Sequence, residues 1–327
     1  MSHFESGGKV PERSQPCAST EGAADAELAE YLRSLRVAPL VESSAIGVAE
    51  LREASRLRAS SRPRGAEMET VRGLVVPGQV PVEARIYLPS PSPTALLVYL
   101  HGGGWVLGDL DSHDGTCRNL AKATDFAVLA VDYRRGPEHR WPAAVDDAVA
   151  VTAWAQDHAN DLVGVRSVLI AGDSAGGNLA ALACLRLRDE GRQLPDAQVL
   201  IYPNTDLTFS QPSVIEKSSG WGLEATDARW FAGQWVSEQT QFADPRVSPL
   251  FEPHLSGLPR AIVVTAEHDP LRDEGEAYAS RLSAAGVAVH AWREQGLVHG
   301  YLGLTHISPA AATASARLYN SVRCLYP

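Results

Sequence analysis

The sequence of 327 residues is poor in cysteine and in basic charge, and each scarcity excludes a class of protein. Its four cysteines are too widely spaced for a zinc site or a redox pair, so we expect free thiols, most of them buried. They are Cys17, Cys117, Cys184 and Cys324. The 29 Lys and Arg residues against 39 Asp and Glu give a net charge of −10 and form no basic stripe. This balance argues against a nucleic-acid partner, because phosphate contacts need clustered Lys and Arg.

Long apolar runs are also missing. No segment approaches the roughly 18 uncharged apolar residues of a membrane span, and the first residues contain no signal-peptide core. We therefore expect a cytoplasmic protein without a membrane partner. Residues 1–24 are rich in Ser, Gly, Glu and Pro and bury too little apolar surface to offset chain entropy, so this segment is predicted to be disordered.

The segment 25–65 carries apolar residues at helical spacing among charged ones. Leu28 and Leu32 form one such pair, and Val48 and Leu51 form another. This periodicity predicts two amphipathic helices. Because they precede the first strand, we expect them to form an N-terminal cap.

From residue 66 to the end, the pattern changes to strands that alternate with helices. Strands are predicted at 70–76, 80–88, 95–100, 127–133, 167–171, 198–202, 261–266 and 287–292, and helices at 115–124, 142–157, 175–189, 271–285 and 308–323. The later strands are nearly continuous apolar runs, which is typical of parallel strands buried on both faces. The pattern predicts an α/β catalytic domain over 66–327, with a mostly parallel eight-stranded sheet covered by helices on both faces.

One interval, at about 205–245, interrupts this alternation and is unusually rich in aromatic residues. An extra surface helix with its own apolar face would explain it. The insertion also leaves the sheet at the carboxyl edge, where ligands bind in open α/β folds. We therefore favour a cap insertion in which Trp221 and Trp230 bind substrate.

Two glycine-rich turns each follow a predicted strand, HGGGW at 101–105 and GDSAG at 172–176. The second is the Gly-x-Ser-x-Gly pattern, which places a serine hydroxyl at the tip of a sharp strand-to-helix turn. Ser174 is therefore the candidate nucleophile. The first turn lets backbone N–H groups approach the same point, as an oxyanion hole requires. The candidate donors are Gly103, Gly104 and Ala175.

A serine hydroxyl needs a base, and the base needs an acid that orients it. Asp269 and His299 each follow one of the last two predicted strands, in the chain order serine, acid, histidine. They are the candidate acid and base. Glu267 and Asp273 are rival acids, and His268 is a rival base.

Other residues near these motifs have structural interpretations. His101 is expected to form local hydrogen bonds that shape its loop, and Asp173 to form hydrogen bonds within the serine turn. Trp105 is expected to line the substrate pocket. In the segment 133–147, the polar side chains are expected to hold a turn rather than to do chemistry. They are Glu138, His139 and Asp146.

Together these motifs resemble the bacterial hormone-sensitive-lipase-like carboxylesterases of the α/β-hydrolase superfamily. The resemblance covers about residue 70 to the end and is carried by HGGGW at 101–105, YRRGPEH at 133–139, GDSAGGN at 172–178, SPL at 248–250, DPLRDEG at 269–275 and HGY at 299–301. It implies Ser174 as nucleophile, Asp269 as acid and His299 as base, beneath an N-terminal helical cap. It also implies hydrolysis of short to medium acyl esters with no cofactor and no metal.

The sequence departs from the family pattern at two positions. Gly136 stands where Ala is usual, and His268 stands where an aromatic or apolar residue is common. Neither departure removes a catalytic group.

The predicted function is that of a serine carboxylesterase that acts on a small-molecule ester through an acyl-enzyme. An amidase, a peptidase or a secondary-metabolite deacylase remains an alternative, because the same triad serves any acyl transfer. A non-catalytic small-molecule receptor is the other alternative, but it would be expected to lack a triad member. The sequence leaves a homodimer open.

Overall fold

The computed structural model describes residues 22–37 and 47–325. The strands are β1 Thr70–Val76, β2 Val82–Leu88, β3 Leu96–Leu100, β4 Ala127–Val131, β5 Val168–Asp173, β6 Ala197–Ile201, β7 Arg260–His268 and β8 Val289–Val298. The helices are α1 Ala26–Val37, α2 Val48–Ser60, α3 Asp114–Thr124, α4 Ala143–Val163, α5 Ala175–Asp189, α6 Ser213–Glu216, α7 Ala225–Trp235, α8 Arg272–Ala284 and α9 Pro309–Arg323.

The strands form one eight-stranded sheet in the order β1-β2-β4-β3-β5-β6-β7-β8. Strand β2 pairs antiparallel with both β1 and β4, and the remaining pairs are parallel. Every residue of β3, β4, β5 and β6 is buried. This burial accounts for their continuous apolar runs, because helices cover both faces of parallel strands. The predicted fold class is confirmed.

Side chains of one strand alternate between two apolar cores, one on each face of the sheet. In β3, Leu96 and Val98 pack into the core that contains Leu179 of α5. Leu97 of the same strand packs into the opposite core, with Leu318 of α9. This alternation is the two-residue period of a β-strand, and it fixes which face each crossover helix covers.

Strand β8 extends well beyond the predicted end near Trp292. A register shift follows Ala266, after which His268 of β7 pairs with Val298 of β8. The irregularity keeps the two strands together to their carboxyl ends. Consequently, Asp269 and His299 each come directly after one residue of the paired His268 and Val298.

The N-terminal segment is held against the catalytic domain at its described end. Residues 1–21 of the segment predicted to be disordered lie outside the described residues. At residue 24 of that segment, the Ala24 N–H donates to the Gly296 carbonyl at 2.9 Å. The next residues begin α1, whose Leu28 and Leu32 are fully buried in the core of the sheet.

Helix α7 of the insertion packs on the turn that precedes α4. The Trp141 N–H donates to the Trp235 carbonyl at 2.9 Å. A Cβ atom on Gly136 would lie 2.8 Å from the Gln234 carbonyl oxygen, so a larger residue would push the helix away. Gly136 thus permits the close approach of the insertion, which accounts for one departure from the family pattern.

The helices and side chains of residues 22–37 and 47–325 bear on membrane and metal binding. Among these residues, no helix has both the length and the apolarity needed to cross a membrane. Within the same ranges, no three His, Cys, Asp or Glu side chains are grouped so that they could hold a metal ion. Cys117 and Cys184 are buried free thiols, and Cys324 is an exposed one. Cys17 lies outside the described residues.

Candidate active site

The candidate nucleophile lies on a sharp turn between β5 and α5. Ser174 has φ 55° and ψ −120°, a backbone conformation that residues other than glycine rarely adopt. The turn depends on glycine on both sides of the serine. A Cβ atom on Gly172 would lie 2.2 Å from the Gly176 carbonyl oxygen, and one on Gly176 would lie 1.9 Å from that of Leu100. Any side chain at these positions would force the turn open.

The three candidate triad residues form one hydrogen-bonded chain. His299 Nε2 lies 2.8 Å from Ser174 Oγ, and His299 Nδ1 lies 2.7 Å from Asp269 Oδ2. Asp269 is fully buried, and its Oδ1 accepts the Leu271 N–H at 2.8 Å. An ionised carboxylate only accepts hydrogen bonds, so Nδ1 carries the proton and Nε2 accepts from the serine. This is the arrangement that general-base activation of a serine requires.

The two rival acids point elsewhere. Glu267 accepts the Gly296 N–H at 2.6 Å and so fixes the end of β8 before the candidate base. Asp273 accepts from Arg272 Nε at 2.6 Å. Both carboxylates therefore stabilise structure around Asp269 rather than contact its histidine.

The rival base, His268, is likewise occupied. Its Nε2 lies 2.8 Å from the Gly22 carbonyl oxygen, and its Nδ1 lies 3.2 Å from Lys217 Nζ. The ring stacks on Trp221 with a centroid separation of 3.8 Å. Burial lowers the pKa of His268, with the charge on Lys217 acting in the same direction. This histidine holds the N-terminal segment against the insertion.

Two of the candidate oxyanion donors lie on the glycine loop after β3. Gly103 and Gly104 have φ values of 124° and 60°, which favour glycine. Within the described part of the chain, neither N–H has a protein acceptor. Both residues line the same cavity as Ser174. The third candidate, Ala175, is the first residue of α5, where backbone N–H groups have no partner inside the helix.

Asp173 joins the serine turn to the glycine loop. Its Oδ1 accepts the Gly102 N–H at 2.9 Å and the Tyr99 hydroxyl at 2.7 Å, with His113 Nε2 at 3.6 Å. Burial acts to raise the pKa of Asp173, but His113 and the Tyr99 hydroxyl outweigh it and lower that pKa. The carboxylate is therefore ionised and fixes the loop, in agreement with its predicted hydrogen-bonding role.

His101 also shapes this loop. Its Nδ1 lies 2.9 Å from the Gly102 carbonyl oxygen, and its ring stacks on Tyr133 with a centroid separation of 4.3 Å. The Tyr133 hydroxyl donates to the His101 carbonyl oxygen at 2.7 Å. Burial lowers the pKa of His101 to about 3, so the ring is neutral. These contacts support its structural interpretation.

Helix α2 is attached to the glycine loop by Arg52, which sequence analysis missed. Its Nε donates to the Val106 carbonyl at 2.9 Å and its Nη2 to that of Gly136 at 2.8 Å. Both Nη atoms also bind Glu138 at 2.8 Å. The hydrogen bonds from Arg52 lower the pKa of Glu138 to about 2. One arginine thus joins α2 to the loop and to the turn before α4.

Asp147 holds the turn over 133–147, whereas Asp146, one of the three residues expected to do so, binds elsewhere. Asp147 accepts the Arg134 N–H at 2.8 Å and also binds the guanidinium of Arg134. Asp146 instead forms an ion pair with Arg186 on α5. The two positions are a helical step apart, so they face different elements, which the sequence pattern did not distinguish.

A second missed residue is Glu274, which is fully buried near the acid loop. Its Oε1 accepts the N–H groups of Thr205 at 2.7 Å and Asp206 at 3.2 Å. Among the described residues, its Oε2 has no partner. Burial raises the pKa of Glu274 well above its ordinary value, which favours the protonated form. It supports the loop after β6, and only its place in the DPLRDEG motif pointed to it.

A cavity of about 320 Å³ contains the triad serine and histidine in its wall. Tyr31 of α1 and Ser55 of α2 also line it. Phe231 of α7 lines it from the insertion. Side chains from both helical segments therefore face the space above Ser174.

Of the three tryptophans that were expected to contact substrate, only Trp105 is among the described residues that line the cavity. Trp105 lines the cavity, and its ring stacks on Trp235 at 4.4 Å with an interplanar angle of 4°. Among the described residues, the cavity wall includes neither Trp221 nor Trp230, contrary to the expectation. Trp221 stacks on the rival histidine, and Trp230 packs edge-on against Phe231, which faces the cavity instead. Aromatic density in a sequence does not say which side of a helix faces a pocket.

Comparison with known proteins gives the family. A family model described as "alpha/beta hydrolase fold" matches residues 97–303, which span the glycine loop, the serine turn and the acid and base loops. The chain belongs to the α/β-hydrolase family. Its resemblance to the hormone-sensitive-lipase-like carboxylesterases is confirmed by the relatives of this hydrolase.

The carboxylic ester hydrolase LipN of Mycobacterium tuberculosis is 44% identical over 262 residues, 77% of this chain and 70% of LipN. The ethyl acetate hydrolase of Pseudomonas putida is 41% identical over 230 residues, 68% of this chain and 72% of that protein. The solved structure of an ester hydrolase from the metagenome of Lake Arreo, in complex with a bipyridine phosphonate derivative, is 33% identical. It matches with a TM-score of 0.87 over 91% of this chain and 98% of that one. The enzyme class predicted from the sequence, a carboxylic ester hydrolase, is confirmed.

Proposed function

We propose that this hydrolase is a serine carboxylesterase that cleaves short to medium acyl esters through an acyl-enzyme. Ser174 is the nucleophile, His299 the general base and Asp269 the acid that orients the base. The observation that carries the proposal is the chain of two hydrogen bonds, 2.8 Å and 2.7 Å long, that links the three side chains.

In the proposed mechanism, His299 Nε2 takes the hydroxyl proton as Ser174 Oγ attacks the ester carbonyl carbon. Asp269 is buried and lies 2.7 Å from His299 Nδ1, so its carboxylate stabilises the imidazolium that forms. The imidazolium then gives its proton to the departing alcohol, which leaves an acyl-serine. Water enters, loses its proton to the same histidine, and attacks the acyl carbon. The imidazolium then returns the proton to Ser174 Oγ as the bond to the acyl group breaks, which releases the acid and restores the serine.

The negative charge of the tetrahedral intermediate is assigned to the backbone N–H groups of Gly103, Gly104 and Ala175. Two of these donors lack a protein acceptor among the described residues, which leaves them ready for an oxyanion. Fixed donors of this kind stabilise the transition state without reorganisation, and removal of one typically costs about 100-fold or more in turnover.

The preference for short to medium acyl groups rests on the cavity. Its volume of about 320 Å³ is shared by the reacting group and both ends of the ester. Side chains of α1, α2 and α7 line it, so we assign these helices to a cap over the serine. The relative from Pseudomonas putida is named for ethyl acetate, a small ester, which agrees with this size.

The direct test is to compare wild type with Ser174→Ala and His299→Ala on p-nitrophenyl esters of increasing acyl length. Both variants should lose nearly all turnover, and Ser321→Ala on the surface of α9 should retain it. A p-nitrophenyl phosphonate should add to wild type and fail to add to Ser174→Ala, as read by intact mass. Retention of a few per cent or more of turnover in either triad variant would refute the assignment.

The same assay separates the alternatives. Matched p-nitroanilides would be cleaved more efficiently than the esters if the hydrolase were an amidase. Natural-product esters would be the preferred substrates of a dedicated deacylase. Saturable ester binding without turnover would indicate a receptor.

A further inference from the structure

The catalytic cavity adjoins a second, larger space. This outer groove, about 540 Å³ in volume, lies between the end of α2 and the start of α3. Ala59, Arg62, Leu302 and Gly303 line both spaces, so the groove and the cavity meet along one wall. Substrate groups that extend past the cavity would enter this groove.

The carboxylates that line the outer groove in the described chain are paired with arginines. Asp111 and Asp114 in the groove bind Arg85 at 2.8 Å and 3.3 Å, and Asp114 also binds Arg118 at 2.6 Å. Asp173 in the cavity is buried beneath the glycine loop and hydrogen-bonded there. The two groove carboxylates are therefore balanced by Arg85 and Arg118, whereas Asp173 keeps its charge beneath the glycine loop.

Two further arginines do have free charge at the junction. Arg58 lines the cavity, and Arg62 lines both the cavity and the groove. Both are exposed, and in the described part of the chain neither side chain forms a hydrogen bond or an ion pair. In contrast, Arg52 and Arg56 of the same helix are paired with Glu138 and Asp109, respectively.

The position of these two cations is fixed relative to the serine. Helix α2 carries Arg58 in its last turn and ends at Ser60. Arg62 follows Arg58 by four residues, just past the end of the helix. The same helix is attached through Arg52 to the glycine loop that faces Ser174. The protein as a whole has a net charge of −10, so the unpaired positive charge at the cavity mouth is opposite in sign to the net charge of the protein.

From this placement we propose that the hydrolase prefers esters that carry an anionic group, such as a carboxylate, which Arg58 and Arg62 bind while the ester carbonyl lies at Ser174. The inference rests on the proposed esterase function and adds a substrate class to it. A guanidinium offers a planar fork of donors that matches a carboxylate, and it stays charged across the working pH range. Positive charge at a cleft also raises the association rate of an anionic substrate.

The test compares two pairs of esters, each with an anionic member and a neutral member of similar size. On the acyl side, the adipate monoester of p-nitrophenol is compared with p-nitrophenyl hexanoate. On the alcohol side, 4-acetoxybenzoate is compared with 4-acetoxybenzamide. The readout is the ratio of kcat/KM for the anionic ester to that for its neutral partner, which cancels effects common to both substrates.

In at least one pair, the double variant Arg58→Gln/Arg62→Gln should lower this ratio by about tenfold, the scale expected for two partly exposed charge pairs. Arg62→Glu should lower it further than Arg62→Gln. The matched control is Arg166→Gln, which removes an exposed arginine next to the amino end of β5, the sheet edge opposite Ser174, and should leave the ratio unchanged. In wild type, added salt should reduce the ratio, and in the double variant the ratio should respond less.

A purely structural role for the two arginines would lower kcat/KM for both members of a pair together. An unchanged ratio in both pairs, with the neutral esters still hydrolysed, would refute the anionic preference and leave the esterase function standing. Absence of hydrolysis of all four esters by wild type would refute the proposed function itself.

Discussion

Replacement of Asp269 by Asn isolates the role of the acid, because the change keeps size and removes charge. Asp269 Oδ1 accepts the Leu271 N–H, and an Asn oxygen can take over that bond. The Asn amide group would then face His299 Nδ1 in place of the carboxylate. An amide N–H donates, so it would move the histidine proton to Nε2, where Ser174 needs an acceptor. The base would be present but in the wrong tautomer.

The expected cost is a fall in kcat of about 10⁴-fold, or about 5 kcal/mol in transition-state stabilisation. KM should change little, because the buried acid is not among the cavity-lining residues of the described chain. The controls are Glu267→Gln and Asp273→Asn, whose carboxylates bind Gly296 and Arg272 rather than the base. Their kcat should stay within about tenfold of wild type.

The assay is steady-state hydrolysis of p-nitrophenyl acetate by the three variants, with circular dichroism melting curves to verify folding. A folded Asp269→Asn variant with kcat within tenfold of wild type would refute the assignment of this acid. A larger loss in Glu267→Gln or Asp273→Asn than in Asp269→Asn would move the acid to that neighbour.

Three further predictions concern the supporting structure and the cavity. Burial raises the pKa of Glu274 above its unfolded value near 4.5, so the free energy of unfolding of wild type should fall as pH rises above that value. In urea titrations, the stability of Glu274→Gln relative to wild type should therefore increase from acid to neutral pH. Equal pH profiles for the two proteins would contradict the raised pKa of the buried Glu. Gly176→Ala should lower the melting temperature and abolish turnover, because its Cβ would lie 1.9 Å from a carbonyl oxygen; a wild-type melting curve would contradict this. Among p-nitrophenyl esters, kcat/KM should rise with acyl length by up to about 0.8 kcal/mol per methylene and then fall for long chains, whereas a jump in rate on emulsified long-chain triacylglycerols would favour a lipase.

Much of this hydrolase was predictable because its signals are local in the chain. Continuous apolar runs predicted the buried strands, and the structure contains all eight. Glycines on both sides of Ser174 predicted the sharp turn, since the backbone itself needs them there. The chain order and the strand-end positions of Asp269 and His299 selected them, and the fold brings both within hydrogen-bond reach of their partners.

Contacts between distant segments were not predictable in the same way. Arg52 gives no periodic or motif signal, yet its guanidinium meets a loop more than 50 residues away in the chain. Glu274 lies five residues past the acid, and only packing decides that it is buried and that its pKa is raised. Trp221 and Trp230 were expected in the pocket wall because they are large aromatic residues in the insertion, but packing places Phe231 against the cavity instead.

The physical reason is the range over which each interaction acts. Strand burial, glycine conformation and strand-end position depend on a few neighbouring residues, so the sequence determines them directly. The rotation of α7, the anchoring of α2 and the meeting of the cavity with the outer groove depend on how separate segments pack. Side-chain direction, charge pairing and pKa follow from that packing, and for this reason the free charge of Arg58 and Arg62 became visible only in the folded chain.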